Sequence, residues 1–170
     1  MKTAVVLILL ALLFWAVFIY NRLVRDRNRV LAAWSDIDVQ LKRRHDLIPK
    51  LVEAVRQYAA YEQSTLSALT QLRSESRQVS EVDRMEQAIG VGVQRLLAVA
   101  EAYPELQANE NFLALQREVS EVENQIQYAR RYYNGAVRAL NIRIDSFPDL
   151  ILARLFGYRH AAYFVMEDRS

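Results

Sequence analysis

The sequence predicts an all-α protein, with an N-terminal transmembrane helix followed by an antiparallel four-helix bundle with very long helices. Four observations carry this expectation. An uncharged apolar run opens the chain, and apolar residues then recur in steps of three and four over long distances. Glycine and proline number only four and three in 170 residues, too few for a loop-rich or β-rich fold. No segment alternates with period two for long, so no strand is expected.

Residues 1–24 form the first element, a short outer tail and an anchor helix. From Ala4 to Tyr20 the chain reads AVVLILLALLFWAVFIY, about 25 Å of helix, near the short limit for a span. A cleaved signal peptide is the main rival, with a buried core helix behind it. A cleavage site wants small residues, whereas this run ends in Phe14, Trp15, Phe18 and Tyr20, side chains suited to an interfacial belt. Arg22, Arg25, Arg27 and Arg29 follow, offset by Asp26, while only Lys2 and the amino terminus precede the run. The positive-inside rule then puts the N-terminus outside and the bulk of the chain in the cytoplasm, in a single-pass arrangement. The four arginines are also candidate lipid-headgroup contacts, and serving as a topology signal alone accounts for them equally well.

Residues 25–170 are expected to form the bundle. The first stripe runs Trp34, Ile37, Leu41, Ile48, Val52, Val55, Ala59, Leu66 and Leu69. A second, opened by the near capping box S80-E-V-D83, runs Val82, Met85, Ile89, Val93, Leu96, Ala100, Tyr103. The third runs from Phe112 through Leu115, Val119, Val122, Ile126, Ala129, Tyr133, Ala136, Leu140 and Ile144 to Phe147. Polar residues 73–80 read as the first turn, and Pro104 with Asn109 and Asn111 as the second. Pro148 ends the third helix, and residues 149–165 read as a closing helix interrupted near Gly157. Pro49 either kinks a first helix that continues from the membrane or opens a fresh one; the kinked continuous helix is preferred, with Pro49 as the bend.

The stretch Ala32–Val52 looks crowded with chemistry: aspartates, a Trp, Lys42-Arg43-Arg44, His45, Asp46 and Pro49. On a helix, Ile37, Leu41, Ile48, Val52 and Val55 fall within about 60° of one another. Arg43 and Asp46 then point away from that side, Lys42 lies outside it, and Arg44 and His45 stand at its edges. Lys42, Arg43 and Asp46 are therefore candidate partner contacts on a solvated face. Metal ligation by His45 would need partners, and His160 is the only other histidine. Three residues before these histidines stand Lys42 and Gly157, so the Glu-x-x-His pairs of a di-iron bundle are missing.

Cysteine is absent, which removes thiolate nucleophiles, disulfides and Cys-type metal sites. No H-E-x-x-H, G-x-S-x-G, phosphate loop or dinucleotide fingerprint occurs. Gly90 and Gly92 fit close helix packing better than phosphate binding. The near balance of 22 basic and 20 acidic residues does not describe a nucleic-acid-binding surface. Glu101, Glu105, Glu110, Glu118, Glu121 and Glu123 read as a solvated acidic face that could meet a basic partner. No catalytic residue, metal or cofactor is expected.

Several runs together, N21-RLVRDRNR-V30, A33-WSDIDVQLKRRHDLIPKL-V52, L97-AVAEAYPELQANENF-L113, R131-YYNGA-V137 and S146-F-P148, closely resemble the LemA family. The resemblance extends over essentially the whole chain. It implies a bacterial single-pass inner-membrane protein with a cytoplasmic helical bundle, and it implies no reaction. Members often stand beside genes for membrane proteases or TPM-domain proteins, which directs the search for partners toward an envelope-associated complex. The expected function is a non-enzymatic, membrane-anchored scaffold or adaptor that binds protein partners, with homo-oligomerisation. The alternative is a membrane-surface, lipid-organising protein using the arginine collar and an amphipathic segment from Leu150 to Val165. A hydrolase using His45 with acidic neighbours is the third.

Overall fold

The computed structural model describes residues 1–59, 90–94, 96–98 and 100–164. Among these, all regular structure is helical. The expected first turn at 73–80, the capping box at 80–83, and Leu66, Leu69, Val82, Met85 and Ile89 lie outside the described residues.

Helix α1 spans Lys2–Ala59 with Pro49 inside it. The helix therefore continues through the proline, as preferred from the sequence. Its N-terminal part carries the one described stretch long and apolar enough to cross a membrane. Described residues between 90 and 100 are again helical. The short α2 spans Pro104–Gln107 with proline in its first turn, where a missing N–H costs nothing. Helix α3 spans Glu110–Asp145. Asn109 Oδ1 accepts from the backbone N–H groups of Asn111 and Phe112 at 2.9 and 3.2 Å, capping α3 and identifying which of the two expected asparagines does so. After α3 comes a cis Phe147–Pro148 bond, then α4 at Asp149–Leu155.

The chain divides into two compact units, one of residues 1–38 and 127–170, the other of residues 39–126. In the first, Asp26 meets Arg143 and Trp34 meets Tyr133, so α1 and α3 run antiparallel there. Its buried α1 positions are Ile19, Leu23, Asp26, Val30, Ala33 and Ile37, spaced by four and three in strict alternation. From α3 it buries Tyr133, Val137, Leu140 and Ile144, and from α4 Leu152 and Ala153.

The second unit has its own core. Leu47, Leu51 and Val55 pack with Val93, Leu96, Ala100 and Leu106, and with Phe112, Val119, Val122 and Ile126 of α3. Burying a side chain of this size contributes about 1.5–3 kcal/mol, so this cluster is what holds the unit closed.

Three sequence expectations shift. The most buried line of α1 is Ala33, Ile37, Arg44, Leu47, Leu51 and Val55; Leu41, Ile48 and Val52 flank it, and Trp34 stands at its edge, 37% exposed. In α3 the stripe passes through Val137, and Phe147 is 79% exposed beyond the helix end. The closing helix stops at Leu155, because Gly157 adopts a left-handed φ of 69° and the following residues leave helical geometry. The interruption expected near Gly157 is therefore present, and among the described residues the helix does not resume after it.

Candidate functional surface

Two charged residues occupy core positions on α1, and both are paired within their own unit. In the first unit, Asp26 is only 4% exposed. Its Oδ2 accepts from Arg143 Nε on α3, and its Oδ1 lies 3.5 Å from Arg29 Nη1. Arg143 Nη1 also donates to Asp149 Oδ2 at 3.1 Å. Burial alone would lower the Arg143 pKa. The hydrogen bonds and negative charges of Asp26 and Asp149 outweigh that effect and hold it above its ordinary value. The carboxylates thus tie α1, α3 and α4 to one guanidinium.

In the second unit, Arg44 is buried at 6% exposure, and its Nη2 stands 2.6 Å from Glu123 Oε1. A Cβ added at Gly90 would come 3.0 Å from the same Nη2. Close packing is therefore what Gly90 permits, as its sequence context suggested. One residue earlier, Arg43 Nη2 lies 3.6 Å from Glu118 Oε1, both groups partly exposed. Arg43 thus reaches across to α3 instead of pointing wholly away, and Arg44 is a core residue instead of an edge one. Two members of the expected acidic face, Glu118 and Glu123, are used by this pairing.

The remaining sequence-derived contacts stay on the surface. Lys42, His45 and Asp46 are exposed. Pro49 is exposed and lines a shallow groove with Lys50, Ala54, Leu106 and Asn109. Arg22, Arg25, Arg27 and Arg29 are all exposed, with the Arg22 guanidinium 5.7 Å from the centroid of the Phe18 ring. Among the described residues, no three or more His, Cys, Asp or Glu side chains gather in a metal-binding arrangement.

Sequence reasoning missed the device that replaces the second half of the closing helix. Residues 158–164 run without helix against α3 and are held through their backbone. Asn141 accepts from the N–H of Ala161 at 2.9 Å and donates to its carbonyl at 3.0 Å. Asn134, two helical turns away, does the same to Phe164 at 2.8 and 3.0 Å. Seven residues of helix and three of extended chain both cover about 10 Å, which lets the two clamps work in register. Tyr133 Oη donates to the Ala162 carbonyl at 2.9 Å, and burial pushes the Tyr133 phenol up. Phe164 closes the end, between Trp34 at 6.2 Å and the Arg130 guanidinium at 4.6 Å. His160 Nε2 reaches Asp145 at 3.0 Å on the outside.

Comparison with known proteins adds the context. The chain is 28% identical over 159 residues to Protein LemA of Metamycoplasma hominis, covering 87% of this chain and 69% of that one. It is 26% identical over 174 residues to Magnetosome protein MamQ 2 of Paramagnetospirillum magneticum, with 85% of this chain and 64% of that protein aligned. A further relative, Magnetosome protein MamQ of Magnetospirillum gryphiswaldense, is 24% identical over 188 residues, covering 94% of this chain and 69% of its own. The aligned part thus spans about two thirds of these relatives. The LemA family model matches residues 33–170, from the seam residue Ala33 through both units and the clamped tail, and the chain belongs to the LemA family.

Proposed function

We propose that this chain is a non-enzymatic, membrane-anchored helical scaffold that binds protein partners at the bacterial inner membrane and associates with itself. The observation that carries the reading is α1. One uninterrupted helix bears both an apolar stretch, with Leu7, Ile8, Leu9, Leu12 and Leu13 all exposed, and the exposed charges Lys42 and Asp46. Lipid is the low-energy surrounding for such a stretch, since its backbone is satisfied within the helix and its side chains are apolar. The pairing of Asp26 with Arg143 and of Arg44 with Glu123 supports a structural role for those charges, and Lys42 and Asp46 stay outward. Completion of an antiparallel four-helix bundle around the Leu51–Leu96 core belongs to the same reading.

The arginines after the apolar stretch support placing the bulk of the chain in the cytoplasm and the N-terminus outside. The chain contains no cysteine, so a single cysteine at exposed Arg138 reports orientation by thiol labelling. Labelling of intact cells by an impermeant reagent would overturn the cytoplasmic placement. Family analogy directs the partner search to envelope proteases and TPM-domain proteins. Light scattering of the full chain in detergent tests self-association: a mass above the monomer is expected, and a monomer at every concentration contradicts it. A His45→Ala variant with an unchanged cellular phenotype is expected of a scaffold, and loss of phenotype with retained folding argues for chemistry.

A further inference from the structure

Helix α4 and the turn after it carry large apolar side chains with little protein cover: Ile151 and Leu155 on the helix are 51% and 73% exposed, and Phe156 in the turn 55%. Contacts to α1 fix where this turn sits in its unit. At the start of α4, Asp149 shares Arg143 with Asp26; just past its end, the Phe156 ring lies 4.8 Å from the ring of Tyr20. From Asp26 back to Tyr20 is about 9 Å along a helix, and a seven-residue helix is about 10 Å long. Helix α4 therefore runs beside α1 toward the apolar stretch. Past Gly157 the chain turns back: His160 meets Asp145, Ala161 meets Asn141 and Phe164 meets Asn134, each partner further along α3 from the α4 end. Residues 155–158 are thus the tip of this fold, level with Tyr20, where the apolar run of α1 gives way to Arg22 and Arg25.

We propose that this tip is a second membrane contact, with Leu155 and Phe156 inserted at the headgroup–acyl boundary of the same bilayer that α1 crosses. It rests on the reading of α1 as a membrane span. Exposed Arg154 and Arg159 flank the tip in sequence, and exposed Arg22 and Arg25 follow Tyr20, so cations stand next along the chain to both sides of the Tyr20–Phe156 contact. That pattern matches the anionic, then apolar, profile of a lipid surface. Four residues at the boundary take the place of the amphipathic segment expected from Leu150 to Val165, and they hold the unit at two points on the bilayer instead of one.

Single-cysteine spin labels in the full chain test this, reconstituted in bilayers containing phosphatidylglycerol. Labels at Leu155 and Ile151 are read for accessibility to oxygen and to a water-soluble nickel chelate, beside references at Leu9 and exposed Arg138. The result expected is a deep, oxygen-accessible Leu9, Leu155 at boundary depth about 5–10 Å into the interface, Ile151 shallower and Arg138 fully nickel-accessible. A Leu155 label as nickel-accessible as Arg138, with Leu9 still deep, overturns the second contact and spares the span. A nickel-accessible Leu9 overturns the span itself. A Leu155 label shielded from both reagents overturns the lipid contact in favour of a protein neighbour.

Discussion

Asp26 on α1 and Arg143 on α3, 117 residues apart in sequence, are hydrogen-bonded in a seam whose other α1 positions are Ile19, Leu23, Val30, Ala33 and Ile37. A carboxylate in the middle of a heptad line costs desolvation, and the guanidinium with its two carboxylates offsets it. A wrong register of α1 on α3 would bury Asp26 against an apolar side chain, so the pair specifies alignment. Replacing Asp26 by Leu alone should lower stability by about 3 kcal/mol, because Arg143 is left with Asp149 only. Asp26→Leu combined with Arg143→Met should recover most of that loss. Thermal unfolding followed by circular dichroism in detergent measures both, and additive losses in the double variant would contradict the pairing.

Gly90 and Arg44 should be coupled. In most helices Gly→Ala stabilises by about 0.8–1 kcal/mol. Here the new Cβ meets Arg44 Nη2, the atom that also holds Glu123, so Gly90→Ala is expected to destabilise. In an Arg44→Met background the sign should reverse. Denaturant midpoints for the four proteins of the cycle supply the check, with an expected coupling of about 1–2 kcal/mol.

Asn134 and Asn141 hold the tail through its backbone, so side-chain identity at Ala161 and Ala162 should matter little. Alanine at both asparagines removes two paired clamps, each bond contributing about 1 kcal/mol, and should free the tail without unfolding α3. Hydrogen exchange at the Ala161 and Phe164 amides should accelerate at least tenfold, and trypsin should cut sooner after Arg159. Asn134→Asp keeps the acceptor and loses the donor, so its effect should be intermediate. Unchanged protection in the double variant would contradict the clamp.

The Tyr133 phenol, raised by burial, adds an alkaline limit. Its contribution is fully present below the ordinary tyrosine pKa of about 10 and is lost as pH rises through the higher folded value, because the unfolded chain ionises first. Stability should therefore fall above about pH 10, and Tyr133→Phe should flatten part of that fall while losing the bond to Ala162 at every pH. A pH series of unfolding midpoints for the two proteins separates these effects.

The continuity of α1, the Asn109 cap and most of the α3 stripe were legible because they follow from spacing and local hydrogen bonding. The α1 seam was misplaced by one position around Leu41, Ile48 and Val52. Its true line runs through Arg44, which apolar patterning puts at the edge of the stripe; a partner such as Glu123, far along the chain, makes its full burial tolerable. Ala33 gave too small a signal beside Trp34. The second half of the closing helix failed for a similar reason. Residues 158–164 have helix-compatible side chains, but Asn134 and Asn141 offer their backbone a better set of hydrogen bonds, and those asparagines look like solvent residues from sequence alone. Lys42, Asp46 and the four arginines were legible as exposed charges, since exposure of a charge on a helix opposite its core is what the pattern predicts best.

Site-specific photo-crosslinking in native membranes tests the scaffold reading most directly, with the reactive side chain at Lys42 or Asp46 and, as reference, at Arg138. Discrete protein adducts are expected from Lys42 and Asp46, reproducible in mass and stronger than any from Arg138. Adduct yields at Lys42 and Asp46 no greater than at Arg138 would contradict the scaffold reading.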